Sequence, residues 1–462
     1  MNRPTRIGLL PLYLALYDEV RPEVRPEMEQ FADHVARRLG EMELEVARAQ
    51  VCCVRAEVEQ AVRDLADADA LMTLHLAYSP SLESAQTLAG SDLPLVLLDT
   101  TPASRFGEDA TGDDMFRNHG IHGVQDLASV LRRHSRPYLL CVGHLDDPEF
   151  AEEVKLRCRS ARAARALGTM RVLVIGEDFE GMGDFAVTPD VLHEELGVHV
   201  SRMPVRQLAL EAGNVTDEEL AAELESDGAQ CDCSEVAPEV IERTNRVGLA
   251  VRSLLEKTES GAFSFNFASF VGSTGIETVP FLEASKAMAR GVGYAGEADA
   301  LTAALIGSLA QAGCTVTFTE MFCPDWEGGS IFMSHMGECA LHMSDGPAPL
   351  VEKGFKYSDV ENPAIATPKM RPGEATLVNI APGPERSFSL ITARVEVMDR
   401  GPAPNFTEAP HFWIRPLDRS LRDFLRGYSE VGGTHHLGLC MGDEMEMVAG
   451  MAGLLGMDHY AV

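Results

Sequence analysis

No two cysteines stand in the Cys-x-x-Cys spacing of zinc ribbons and dithiol redox sites, although the 462-residue chain carries ten of them. Cys231–Asp232–Cys233 is the nearest approach, and others lie in apolar runs such as Leu139–Leu140–Cys141–Val142. Unpaired buried thiols of this kind suit a reducing compartment. Basic side chains are scarce: 39 Lys and Arg face 71 Asp and Glu, a formal net charge of −32. Such a surface repels phosphate backbones, so nucleic acid is excluded as an expected partner. No stretch reaches the roughly 20 apolar residues that a membrane-crossing helix needs. The apolar run Ile7–Tyr17 follows two arginines, yet Pro11 interrupts it, Asp18 and Glu19 follow at once, and no small-residue cleavage site appears. It reads as a first buried strand entering a loop, and the expected location is the cytoplasm. The Gly-x-Gly-x-x-Gly fingerprint of dinucleotide binding is missing from the glycine-containing loop after the strand-like segment Arg171–Ile175. Gly176–Gly183 holds three glycines after a strand-like segment but not that pattern.

What is present is enough apolar material, 45% against 24% charged, to build more than one core in a chain of this length. The first two-thirds alternate strand-like and helix-like segments. Strands are expected at Ile7–Leu10, Ala70–Leu76, Leu95–Leu98, Tyr138–Val142, Arg171–Ile175 and Ala262–Phe267. Helices are expected at Met28–Leu39, Glu57–Leu65, Val124–Arg132, Glu152–Ala166 and Pro238–Thr258. This rhythm predicts α/β architecture with parallel sheets covered on both faces. After about residue 315 the texture turns β-rich, with alternation clearest in Thr392–Val397 and turn formers clustered at Ala381–Pro382–Gly383–Pro384. The expected organisation is two Rossmann-like α/β domains, 1–168 and 169–315, followed by a mainly antiparallel β domain with closing helices, 316–462.

Four segments of the last third carry metal-type ligands at the ends of regular elements, where rigid scaffolds hold functional groups. Glu297 lies in the glycine-rich stretch Gly291–Asp299, read as a loop opening a helix Leu301–Ala312, and Glu320 follows the strand Thr315–Thr319. His335 comes just after Ile331–Phe332–Met333, and His436 closes the polar stretch Gly432–Gly433–Thr434–His435–His436. Two carboxylates and two imidazoles with open positions suit an octahedral Mn2+, Mg2+ or Co2+ better than a closed zinc site. Singly, each has a plainer role: a glutamate at a helix start stabilises the helix dipole, and a lone histidine is commonly a structural hydrogen-bonding group.

Together and in this order they resemble the L-arabinose isomerase and L-fucose isomerase superfamily. The resemblance is carried by Gly293–Tyr294–Ala295–Gly296–Glu297 followed by Thr302–Ala303–Ala304–Leu305, by Thr319–Glu320, by Ser334–His335–Met336 and by Gly432–Gly433–Thr434–His435–His436. It extends upstream to Asn118–His119–Gly120–Ile121–His122–Gly123 and Val142–Gly143–His144. The resemblance implies that Glu297, Glu320, His335 and His436 bind a divalent metal, Mn2+ first and Mg2+ or Co2+ as alternatives. It implies that Glu297 and Glu320 also move protons, and that His122, Phe267 and His435 contact the sugar, His122 from a neighbouring subunit. A homo-oligomer, trimer or hexamer, with shared active sites follows from the same resemblance. The chain departs from the family where Gly-Asp-Trp-Lys usually follows the first motif, having Ala298–Asp299–Ala300–Leu301 instead, and in the N-terminal segment Pro11–Asp18.

The expected chemistry is aldose–ketose isomerisation. The C–H beside a carbonyl is a weak acid, so the enediolate left by its removal needs a Lewis acid, and carboxylates can relay the protons. A metal-dependent epimerase or lyase acting on a polyol or sugar acid is the alternative within enzymes. A non-catalytic sugar-binding relative is the alternative outside them, and it would be expected to lack at least one ligand, whereas all four are present.

Overall fold

Strands with an apolar side chain at nearly every position must be covered on both faces. This is the pattern of β1 (Arg6–Leu12), β3 (Ala70–His75) and β4 (Leu95–Asp99), which with the edge strands β2 (Glu45–Arg48) and β5 (Leu139–Val142) form one sheet. The chain is described by a computed structural model covering residues 3–462. This first sheet is wholly parallel, in the order β2-β1-β3-β4-β5, the doubly wound arrangement whose direction reverses between β1 and β3. Successive side chains enter different cores. Met72 and Leu74 pack with Phe31 and Val35 of the helix Val24–Glu41, while Leu71 packs with Val58 and with Leu127 of the helix Ile121–Arg133. The sheet belongs to a compact unit that runs to Arg165 and takes in Ala449–Met457.

The other unit comprises Ala166–Val448 and Asp458–Val462. Its parallel sheet, in the order β10-β9-β6-β7, joins β6 (Arg171–Ile175), β7 (His199–Met203), β9 (Ala262–Phe265) and β10 (Gly293–Gly296). A small sheet joins β8 (Cys231–Asp232), β13 (Ala348–Glu352) and β14 (Ala364–Ala366). The remaining strands are β11 (Val316–Asp325), β12 (Ser330–Ser334), β15 (Gly373–Pro382), β16 (Phe388–Val397), β17 (His411–Pro416) and β18 (His436–Met441). They run β15-β18-β11-β12-β17-β16, all antiparallel, and β16 returns to β15, closing a barrel with no free edge. A last strand, β19 (Asp458–Ala461), adds parallel to β16.

The α/β reading followed by an antiparallel β region matches this architecture. Two segments differ in detail. Gly293–Gly296, expected as loop, is a buried strand, and His436, read as the end of a polar stretch, opens the barrel strand β18. Among the described residues no helix is long and apolar enough to cross a membrane.

The helix Ala300–Gln311 follows β10 and packs back against β10 and β9. Its approach leaves no space at Gly293, where an added Cβ would stand 2.2 Å from the Ala303 carbonyl oxygen and 2.5 Å from the Gly307 nitrogen. Backbone cannot swing aside as a side chain can. Gly293→Ala is therefore expected to lower unfolding stability by about 2 kcal/mol or more, measured by urea denaturation. An unchanged midpoint would show that the contact is not tight.

Candidate metal centre

Strand register fixes three of the expected ligands. On β11, Glu320 pairs directly with His436 on β18 at one side and with Ser334 on β12 at the other, and His335 follows Ser334. The fourth arrives from the parallel sheet. Glu297 is the first residue after β10, and its N–H is bonded to the Phe265 carbonyl at 2.9 Å. Glu297 and Ala298 have φ of 61° and 67°, two consecutive non-glycine residues in the left-handed region. Such residues cost about 1 kcal/mol or more each, and they persist where surrounding structure holds them. The turn delivers Glu297 to the centre and Asp299 to the N-cap of the helix Ala300–Gln311, where Asp299 Oδ1 accepts from Thr302 N–H at 2.9 Å.

Around one point lie Glu297 Oε2, 3.3 Å from His436 Nε2, and Glu320 Oε1, 3.1 Å from the same nitrogen. His435 Nε2 is 3.5 Å from Glu320 Oε1, and His335 Nε2 is 3.9 Å from it. One donor atom each from Glu297, Glu320, His435 and His436 falls within 4.8 Å of all the others. His435 joins this tightest group, and His335 borders it through Glu320. Glu297 and His436 are buried and Glu320 nearly so, while His435 is partly exposed on the open side.

The rear nitrogens are all occupied. His335 Nδ1 is 2.7 Å from Glu338 Oε2, His436 Nδ1 is 2.9 Å from Asp299 Oδ2, and His435 Nδ1 is 2.7 Å from Asp184 Oδ2. A carboxylate there fixes a proton on Nδ1 and turns Nε2 inward, which is how metal-binding imidazoles are oriented. Glu338 is itself held by the Gly337 N–H at 2.7 Å and by the Tyr294 hydroxyl. Phe185 stacks on His436 at 4.4 Å, and Phe318 meets both His335 and His436 edge-on. Gly296 makes room for His335, since a Cβ there would come 2.6 Å from its Cε1.

The electrostatics follow from this crowding of acids and imidazoles. Burial disfavours the charged form of Glu320, but His335, His436 and His435 outweigh it and hold the carboxyl below its usual range. Burial likewise opposes protonation of His436, yet Asp299, Glu297 and Glu320 push its pKa well up. His335 is raised in the same way, with Glu338 and Glu320 overcoming its burial. Despite the short separations, Glu297 Oε2 and His436 Nε2 are buried without a hydrogen-bond partner. Inward-facing, unsatisfied oxygen and nitrogen donors are what a divalent cation would satisfy, and this donor set fits one.

Phe267 and His122 are not among the clustered donor residues. Phe267 is buried two residues beyond β9, among Phe179, Phe355 and Tyr357. His122 is exposed on the first turn of the helix Ile121–Arg133, in a helix-to-helix junction rather than a loop, with its ring 5.6 Å from His119. Sequence reasoning gave no role to Asp299, Glu338 or Asp184. Asp299 had a signal, as the position where the divergent segment keeps the family's aspartate. Glu338 lies three residues past His335, but Asp184 is 251 residues from His435 and left no trace.

The family profile of the L-arabinose isomerase central domain matches residues 180–313, and that of the L-arabinose isomerase C-terminal domain matches 315–458. The chain is 29% identical over 343 residues to an L-arabinose isomerase of a Nocardioides species, covering 70% of this chain and 66% of that one. It is 26% identical to L-arabinose isomerase 2 of Bacillus licheniformis, over 70% and 69% of the two chains, and 27% identical to an L-arabinose isomerase of Mycolicibacterium smegmatis, over 70% and 66%. The chain thus spans about two-thirds of the length of these curated relatives.

Asp299 uses both oxygens, one on Thr302 N–H and one on His436 Nδ1, whereas asparagine offers a single acceptor. Asp299→Asn either frees the helix cap or turns the His436 tautomer so that Nε2 carries the proton. Affinity for Mn2+, used as the probe cation in calorimetry, is expected to fall roughly 10- to 100-fold with the circular dichroism spectrum unchanged. Affinity within twofold of the parent would remove Asp299 from this role.

Proposed function

The chain belongs to the L-arabinose isomerase and L-fucose isomerase superfamily, and from that premise we propose that it is a metal-dependent aldose–ketose isomerase. The observation that carries this reading is the convergence of Glu297, Glu320 and inward-facing imidazoles with the buried, unpartnered atoms Glu297 Oε2 and His436 Nε2 among them. Glu297, Glu320, His335 and His436 would hold the cation. We take His335 rather than His435 as the fourth ligand because His335 is buried and locked by Glu338, while His435 is partly exposed at the open side. Oxygen and nitrogen donors of this kind favour Mn2+, with Mg2+ and Co2+ as alternatives. When bound, the cation supplies Lewis-acid stabilisation of the charge that develops on the substrate's two oxygens.

The residues of the chain carry the protons. Glu320 and Glu297, whose Oε2 is buried without a hydrogen-bond partner, form a pair. One accepts the proton from the carbon next to the carbonyl and returns it to the other carbon, and its partner moves the hydroxyl proton. His435, with Nδ1 held by Asp184, offers Nε2 as an acceptor to a sugar hydroxyl. Phe267 would supply an apolar wall for the sugar's C–H face. His122 would reach the sugar from a neighbouring subunit of a homo-oligomer. Its exposure at a helix start supports that reading. Ten cysteines, none of them in a disulfide, support a reducing, cytoplasmic setting.

A screen of aldoses and ketoses with Mn2+ present tests the activity itself. Glu297→Gln and Glu320→Gln keep side-chain size but remove an anionic donor and a proton acceptor, so each is expected to lower kcat by at least ~100-fold with the fold intact. Near-normal turnover in either variant would discharge that residue. For the shared site, mixing His122→Ala with Glu297→Gln protein should restore activity, because hybrid oligomers assemble some sites free of both defects. No recovery after verified subunit exchange would show that each chain builds its own site.

A further inference from the structure

Between β6 and the helix Pro189–Leu196 the segment Gly176–Thr188 forms neither helix nor strand. Its first residues are tied down: Arg202 bonds the Gly176 carbonyl at 2.9 Å and pairs with Asp178, and the Glu177 N–H reaches Ser269 Oγ at 3.0 Å. Beyond them stand Gly181, with φ of 92°, and Gly183, and open space surrounds both. Such a segment has little of its own to hold it in one conformation. Yet the next two side chains grip the paired histidines. Asp184 Oδ2 accepts from the His435 backbone N–H at 2.9 Å and bonds its Nδ1 at 2.7 Å. Phe185 is buried, its ring 4.4 Å from that of His436 and only 8° from parallel. The segment also roofs an apolar cavity, lined by Phe179, Met182, Phe185 and Val187, whose wall includes Glu297 and Ala298.

We propose that Gly176–Thr188 is a latch on the metal centre, in which Asp184 is the positioning residue for His435 and Phe185 fixes the ring plane of His436. The carboxylate of Asp184 holds the His435 ring so that Nε2 faces the centre, 3.5 Å from Glu320 Oε1. When the latch opens, His435 loses its tautomer and orientation together, and the aromatic cover of His436 departs. The positioning of substrate thereby depends on an irregular segment that grips the paired histidines through two adjacent residues. This catalytic part rests on the isomerase reading above, whereas the latch itself rests on the geometry alone.

Chymotrypsin cleavage after Phe185, followed by mass spectrometry on the metal-free protein, tests the latch without reference to activity. In the parent chain the buried ring should resist. A hydrogen bond to a charged group contributes about 1.5–3 kcal/mol, so Asp184→Ala should speed cleavage roughly 10- to 100-fold, and Asp184→Asn, which keeps an acceptor, should lie close to the parent. In the active protein, Asp184→Ala should raise KM for the sugar ~10-fold or more with a smaller loss in kcat and with Mn2+ affinity nearly unchanged, again with rescue by Asp184→Asn. Cleavage at the parent rate in Asp184→Ala overturns the latch. Fast cleavage with KM unchanged overturns the positioning role and leaves the latch standing. If no sugar is turned over by the parent, the isomerase reading fails and the cleavage rates still decide the latch.

Discussion

Two carboxylates and several imidazoles confined within about 5 Å, largely away from water, set the central electrostatic constraint of this protein. Two like charges at that separation repel by roughly 3 to 4 kcal/mol at an effective dielectric near 20. Neither Glu297 nor Glu320 has a lysine or arginine ion partner among the described residues. The relief comes from positive charge placed between them, whether protons on histidines whose pKa values are driven up or a divalent cation. Much of the surrounding structure serves to keep this arrangement from relaxing.

It is kept by two independent devices. The closed barrel fixes Glu320 against His436 and against Ser334 by strand register, and a one-residue slip would turn Glu320 to the opposite face of the sheet. Closure leaves no free edge at which such a slip would be easy. The parallel sheet contributes Glu297 through a turn held in the left-handed region, and that turn is braced by the helix cap at Asp299. Asp299 joins the two devices, because its other oxygen holds His436 on the barrel. Strain at Glu297 and Ala298 is thus tolerated at the junction where both scaffolds meet the centre.

The pattern repeated at all three imidazoles, a carboxylate behind Nδ1 and a free Nε2 in front, shows how the chain converts ordinary histidines into oriented donors. The three supporting acids differ in burial. Glu338 and Asp299 are buried in well-packed structure, and Asp184 stands on an irregular segment at the surface. Buried support therefore lies behind the nitrogens proposed to hold a cation, and the exposed support lies behind the one proposed to meet the sugar.

Sequence alone was sufficient for the parts governed by local periodicity and local motif. Continuous apolar strands alternating with amphipathic helices dictate covered parallel sheets, because such strands have no face that can meet water. The four ligand-bearing segments were legible because each is a short contiguous string. Some elements were not legible for physical reasons. The strand β10 hides as a glycine-rich stretch, since its glycines answer to the close approach of Ala303 and Gly307 rather than to a turn. The strand β18 was masked by the polar glycine stretch ahead of it, and its identity comes from pairing with β11 and β15. Which histidines share one point, which acids stand behind them, and that Asp184 reaches His435 were decided by tertiary structure alone. Those relations are contacts between side chains far apart along the chain, set by strand register and helix packing, and no local pattern of residues encodes them.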